Sequence, residues 1–237
     1  MAEADRLNRI PVLTMIKAVT YLKRRPGMPV AEFQTYWREQ HPAVVKKLPG
    51  LRRYIQSHTR LGAYDKGEPV YDGIAEVWFD DTKALRAIQG TPEMAAVQQD
   101  ELNFIDRKTM GLIITDDYVI IDGPTNPGMA RGIGFVKRKP GMAVEAFQMH
   151  WREVHGPMGK TVPHIRRYEQ SHTRLSAYKD GREPKWDGIS STWFDDSKAL
   201  RAAMTSPEFR QVQTDDANFI APGPVPFIIT TERLIVG

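Results

Sequence analysis

One stretch, YIQSHTRLGAY at Tyr54–Tyr64, returns almost unchanged as YEQSHTRLSAY at Tyr168–Tyr178, 114 positions later. Its flanks repeat with it. KRRPGM (Lys23–Met28) returns as KRKPGM (Lys137–Met142), FQTYWREQH (Phe33–His41) as FQMHWREVH (Phe147–His155), and DGIAEVWFDD (Asp72–Asp81) as DGISSTWFDD (Asp187–Asp196). A chain of 237 residues suits one large domain or two small ones, and the repeat decides for two. Any function is then that of two similar halves facing each other.

Each half carries the same order of local signals. Met15–Leu22 is rich in β-branched and aromatic residues and stops at a Pro-Gly turn, as a strand does. Val30–Leu48 has Phe33, Trp37, His41, Val44 and Val45 at steps of three and four, or on the adjoining stripe, which predicts a helix ended by Pro49-Gly50. Arg52–Leu61 alternates as a second strand, Tyr64–Tyr71 reads as a polar loop, and Gly73–Phe79 as a third strand. Asp81 or Thr82 caps a helical region reaching about Phe104, which Thr91-Pro92 interrupts or restarts. Leu112–Ile121 is a fourth strand. The order β-α-β-β-α-β is the ferredoxin-like split motif, a sheet with both helices on one face. The expected units are residues 13–121 and 131–237, joined by a Gly/Pro-dense linker at 122–130. Residues 1–12 read as a loose leader. The first strand is apolar or small at both parities, so the sheet face without helices needs a partner. Two units packed sheet to sheet give an α+β fold, a dimeric α/β barrel within one chain. That arrangement neither requires nor forbids a further homodimer.

Composition narrows the function classes. The absence of cysteine excludes disulfides, thiolate catalysis and Cys-based metal sites. The formal net charge is +4 and the basic residues are dispersed in short clusters, unlike the long basic stripe of a nucleic-acid binder. No apolar run is long enough to span a membrane, and the N-terminal stretch lacks the apolar core of a secretory signal, so cytoplasm is the expected location. The histidines show neither HxH nor HExxH spacing, which argues against a metal, and GxGxxG, P-loop and GxSxG motifs are missing.

Three constellations are candidates for chemistry. Trp37/His41 and Trp151/His155 stand at i, i+4 and share a helix face with Phe33 or its repeat. Tyr54, Gln56 and His58, with Tyr168, Gln170 and His172, project to one side of the second strand. Such a polar row is expensive unless it lines a polar cavity or forms a hydrogen-bond ladder. Glu76 shares a face with Ile74 and Trp78, so burial is expected to raise its pKa; its repeat is Ser191, beside Trp193. The alternatives are a satisfied helix histidine, a structural ladder and an edge carboxylate. The Glu76/Ser191 difference, with Tyr36/His150, Ile55/Glu169 and Gly50/His164, suggests that the halves are not equivalent. The set His41, Tyr54, His58 and Glu76 points to the first half.

These motifs resemble the EthD domain family of the dimeric α/β-barrel superfamily. The PGM turn, FQTYWREQH and FQMHWREVHGP, RRYIQSHTR and RRYEQSHTR, the DGI…WFDD strands and the TPEMAAVQQDELNFID and SPEFRQVQTDDANFIA segments carry the resemblance over nearly the whole chain beyond residue 12. It implies a pocket between a sheet and its own helices, lined by His41, Tyr54 and His58 or by His155, Tyr168 and His172. The family's His-x-Pro helix motif is met by His155-Gly156-Pro157, whereas the first half reads His41-Pro42-Ala43, a departure that bears on the orientation of His41 and weakens the case for the first half. Relatives are linked to the breakdown of ethers and aromatic compounds and include cofactor-free lyases, isomerases, cyclases and decarboxylases; more distant ones are monooxygenases and haem proteins.

The leading expectation is an enzyme, a cofactor-independent lyase, isomerase or cyclase acting on a small apolar carbonyl, lactone or phenolic compound. His58 or His172 would serve as acid or base and Tyr54 or Tyr168 would hold an oxyanion. Trp37, Trp78, Trp151 and Trp193, with Gln56 and Gln170, would line the pocket. A cofactor-free or haem-dependent oxygenase and a non-catalytic ligand carrier are the alternatives.

Overall fold

A computed structural model describes residues 15–237. The expected leader lies outside the described residues. Strands β1 (Ile16–Leu22), β2 (Arg53–Thr59), β3 (Gly73–Phe79) and β4 (Gly111–Ile121) come from the first half, and β5 (Ala130–Val136), β6 (Arg167–Thr173), β7 (Gly188–Phe194) and β8 (Phe227–Val236) from the second. All pair antiparallel in one closed barrel of order β1-β3-β2-β8-β5-β7-β6-β4. Each half contributes the ferredoxin-like order β4-β1-β3-β2 or its repeat. The barrel closes where β8 joins β2 and β4 joins β6. Both open edges of each sheet are thereby paired by the other half, so no edge strand is left unpaired among the described residues.

Alternation along the strands divides the side chains between two environments. Val19, Tyr21, Ile74, Ile113, Ile133, Phe135, Ile189 and Ile228 pack with Tyr71 into one buried cluster drawn from both halves. At the same strand parity lie Lys17, Ser57, Glu76, Arg131, Ser171 and Ser191, all buried and joined by hydrogen bonds or ion pairs across the two halves. The opposite parity faces the helices and packs in separate clusters for each half.

The helices follow their caps. Helix α1 (Val30–Glu39) stops short of the expected Leu48, and a separate turn α2 (Pro42–Val45) follows. Pro42 cannot donate the amide hydrogen that a continuous helix requires. Asp81 accepts from Ala84 N to start α3 (Thr82–Ala87), and Thr91 accepts from Met94 N to start α4 (Pro92–Glu101). The second half runs without that break. Helix α5 (Val144–His150) passes through a π-helical turn at Trp151–His155 into α6 (Gly156–Gly159), with Gly156 N–H donating to Trp151 O. Here the proline comes one position later, at Pro157, and the widened turn absorbs it. Asp196 and Ser206 cap α7 (Ser197–Met204) and α8 (Pro207–Phe219). The expected loop after β2 begins instead as a 3₁₀ segment, Leu61–Lys66, repeated at Leu175–Gly181.

Candidate functional site

The strand rows Tyr54-Gln56-His58 and Tyr168-Gln170-His172 face the helices and form hydrogen-bond ladders. In the second half, Gln170 Nε2 donates to Trp151 O (2.9 Å) and to the Tyr168 hydroxyl (2.9 Å), while Gln170 Oε1 meets His172 Nε2 at 3.0 Å. An amide oxygen only accepts, so His172 Nε2 carries a hydrogen. Burial, with the nearby Arg152 charge, pushes its pKa down to about 3. The ring stacks on Trp151, 4.4 Å between centroids. His58 repeats this with Gln56 at 2.9 Å, and burial again lowers its pKa to about 3. Both histidines are therefore framework groups behind a tryptophan. Against the expected acid–base role of His58 and His172 stand three facts: each Nε2 hydrogen is held by a glutamine amide, burial lowers both pKa values, and neither ring lines the cavity described below.

Glu76 is corrected too. It lies inside the barrel, where Arg131 Nη2 donates to Oε1 at 2.9 Å and Lys17 Nζ stands 3.3 Å away. Burial alone would raise its pKa, but the Arg131 and Lys17 charges outweigh it and hold the carboxyl down at about 2. Trp193 lies against the Arg131 guanidinium, 4.5 Å from its centroid, and Trp78 beside Lys17 and Arg53. Neither wall was available to a pocket on the helix side. Trp37 donates to the Tyr54 hydroxyl at 3.3 Å, and Gln56 donates to both Tyr54 and the Trp37 carbonyl.

A cavity of about 340 Å³ lies between the second-half sheet and its helices. Of the expected residues it brings together Trp151, His155 and Tyr168. Ser190, Thr192, Leu200, Ala203 and Val212 supply much of the remaining wall, and Phe227 and Met204 stand at the exposed margin. Among the described residues the lining contains no Lys or Arg; its carboxylate is Asp216.

The π-helical turn ends at His155 and aims this ring at α8. His155 Nδ1 lies 3.0 Å from Asp215 Oδ2. Asp215 also accepts from His150 Nε2 (3.0 Å) and Asn218 Nδ2 (2.9 Å). Burial opposes the charge on Asp215, but these three donors win and keep its pKa below the ordinary value. Burial lowers the His155 pKa despite the opposing pull of Asp215. A neutral ring whose Nδ1–H is held by a carboxylate presents Nε2 as a base, and a partner on one nitrogen decides the tautomer of the other. Asp216 is pushed up to about 6 by burial and by the neighbouring Asp215 charge. Tyr168 is pushed up to about 12 by burial, against the Gln170 and Trp151 hydrogen bonds. Its oxygen accepts from Gln170, so its proton stays available to an acceptor in the cavity.

The first half keeps the dyad without the same surroundings. His41 Nδ1 lies 2.7 Å from Asp100 Oδ2, and Glu101, the repeat of Asp216, has its pKa raised by burial. The acidic pairs Asp100-Glu101 and Asp215-Asp216 were overlooked in the sequence. Their signal is recurrence: each stands just ahead of an Asn-Phe-Ile in both repeats.

The EthD domain matches this chain twice, at residues 25–108 and 139–223. No curated protein matches the sequence. Among solved structures, an anthrone oxidase-like protein superposes with a TM-score of 0.65 at 12% identity, over 93% of each chain. A variant of the chlorite dismutase from Candidatus Nitrospira defluvii superposes with a TM-score of 0.50 at 12% identity, over 93% of this chain and 92% of that one. An ethyl tert-butyl ether D (EthD) family protein from Bacillus halodurans is 24% identical over 43% of this chain and 97% of its own, with a TM-score of 0.35. At such identities the likeness to the two barrels is one of fold. With both repeats matched over most of their length, the chain belongs to the EthD domain family and carries two copies of its domain.

Proposed function

We propose that the second-half cavity binds a small, uncharged, largely apolar carbonyl or phenolic compound and transfers a proton on it. His155 Nε2 takes a proton from the carbon next to the carbonyl. The C–H electron pair becomes the enolate double bond, and the carbonyl π pair moves onto oxygen. The Tyr168 hydroxyl donates to that oxyanion. Asp216, close to half-protonated near pH 6, returns a proton to carbon or to a leaving group. Isomerisation, elimination and cyclisation all begin with this step. The family's link to ether and aromatic breakdown suits such substrates.

The observation that carries this reading is the His155–Asp215 contact at the wall of a cavity that also holds Tyr168 and Asp216. A mostly apolar pocket with a few convergent polar groups is the usual form of a small-molecule site. The lack of a lining cation argues against carboxylates and phosphates as substrates. It also bears on the oxygenase alternative. A haem would need cationic or donor partners for its propionates as well as an axial ligand. His155, with Nδ1 on Asp215, has the form of an axial ligand, but among the described residues the cavity wall holds no Lys or Arg for the propionates, so it fits that group only in part.

The test is solvent deuterium incorporation at the α-carbon of a panel of aryl ketones, followed by NMR. The reading expects exchange with the unaltered protein and a loss of about 10²–10⁴-fold in His155→Ala. Full exchange in that variant, or binding of the panel without any exchange, rejects it; the second result would favour a ligand carrier.

A further inference from the structure

The two halves share their chemistry but not their space. Through Tyr54 and Tyr168 the repeats align at a spacing of 114, and past the following loop at 115. On that alignment Gly159 answers to Val45, and Ala203 to Ile88. Gly159 and Ala203 line the cavity. Val45 and Ile88 are instead members of one buried cluster with Leu48, Tyr54, Phe79 and Val97. The exchange brings six more carbon atoms into the first half. Thr192 and Ser190 in the cavity wall likewise answer to Val77 and Ala75, both packed against that cluster. The position of Gly159 is tight: a Cβ there would stand 2.9 Å from Tyr168 Cε1. A side chain at 159 must displace the Tyr168 ring or enter the cavity. The first half has this side chain, and its tyrosine is 1% exposed among aliphatic neighbours.

We propose that the chain holds one ligand, in the second half alone, and that Gly159 and Ala203 set how large that ligand can be. This deepens the proposed function and rests on it only in taking the second-half cavity as the binding site. The duplication has separated two tasks. The second half keeps the dyad and the space. The first half keeps the dyad and fills the space with Val45 and Ile88, so its helices are held to the sheet by a packed core. Adding bulk to the second half, or removing it from the first, changes how many small molecules one chain holds. This also reverses the expectation, drawn from the set His41, Tyr54, His58 and Glu76, that the first half is the working one.

Crystals of the full chain pressurised with xenon, and separately soaked with phenol, test this directly, since dry apolar cavities take up xenon and small aromatics. The unaltered protein should show both in the cavity beside Gly159 and Ala203, and neither beside Val45 and Ile88. Ala203→Ile should weaken phenol binding in solution at least tenfold, and Gly159→Val/Ala203→Ile should exclude xenon as well. Val45→Gly/Ile88→Ala should gain a second xenon beside Tyr54. Xenon or phenol in the first half of the unaltered protein, no xenon in the second half, or unchanged occupancy in Ala203→Ile would overturn the proposal. Should the doubly filled variant fail to fold, Ala203→Ile alone still decides. His155→Ala should keep the xenon site, so failure of the proton-transfer reading is distinguishable from failure of this one.

Discussion

His155 Nδ1 sits 3.0 Å from Asp215 Oδ2, a contact that leaves Nε2 as the ring's other nitrogen, and His155 is part of the cavity wall. The carboxylate orients the ring and decides its tautomer, and in the proposed reaction it would stabilise the imidazolium formed by proton abstraction. The same pairing in other catalytic settings depends on the carboxylate for tautomer more than for proton storage.

Asp215→Asn should therefore lower α-proton exchange by roughly 10²–10⁴-fold while the fold persists. An amide in that place can turn its NH₂ toward Nδ1 and force the hydrogen onto Nε2. Asp100→Asn, the same change beside His41, should leave exchange near the unaltered rate. NMR exchange rates of the two variants, with circular dichroism as a check on folding, make the comparison.

Tyr168→Phe removes the oxyanion donor and should reduce the rate by about 10²–10³-fold. It leaves the Gln170 amide hydrogen without its hydroxyl acceptor, so a modest drop in stability accompanies the loss. Tyr54→Phe should show the drop in stability without the loss of rate. Parallel rate and thermal-melt measurements separate the two effects.

The pH profile has a defined sign. The base must be neutral, and burial lowers the His155 pKa, so the acid limb should fall below the ordinary histidine range. The acid must be protonated, and Asp216 titrates at about 6. Rate should fall as pH rises through that value. Asp216→Asn should remove the alkaline limb and slow the reaction at its optimum. A limb that stays in place after this substitution would assign the acid to another group.

Stability should also fall on the acid side, for a separate reason. His58 and His172 have folded-state pKa values of about 3 against an unfolded reference of 6.5. Their contribution is fully present above the unfolded value. The unfolded chain binds the protons first, so the contribution is lost as pH falls from about 6.5 toward 3, on the order of a few kcal/mol per ring. Urea unfolding across this window should show the slope. His172→Phe should flatten it while lowering stability at neutral pH, because Gln170 Oε1 then loses its donor.

Glu76→Gln should destabilise the barrel by about 3 kcal/mol, since it removes the buried carboxylate between Lys17 and Arg131 and leaves them only the more exposed Asp117 and Glu232. Denaturant titration reads this, and exchange per folded molecule should be nearly unchanged because Glu76 is not part of the cavity wall.

Much of the architecture is legible from the repeat. The strand order, both-parity burial in β1 and the Asp81 and Thr91 caps all follow from local patterns. The break at Pro42 follows from a missing donor that the helix stripe outvoted. Within the site, the helix motif singled out His155 through Gly156-Pro157, and the strand row singled out Tyr168. His172 and Glu76 were harder to read. A histidine two residues from a glutamine on one strand face does not reveal that the amide will take its hydrogen. A buried carboxylate does not reveal that cations from β1 and from the other half will converge on it. Asp215 and Asp216 lie 60 or more positions from His155 in sequence. Only the packing of α8 against the π-helical turn brings them to it.

The most direct measurement is α-proton exchange by His155→Ala and His41→Ala, side by side at pH 6. The account predicts exchange lost in His155→Ala and kept in His41→Ala. Equal rates in the two variants, or loss in His41→Ala alone, would contradict it.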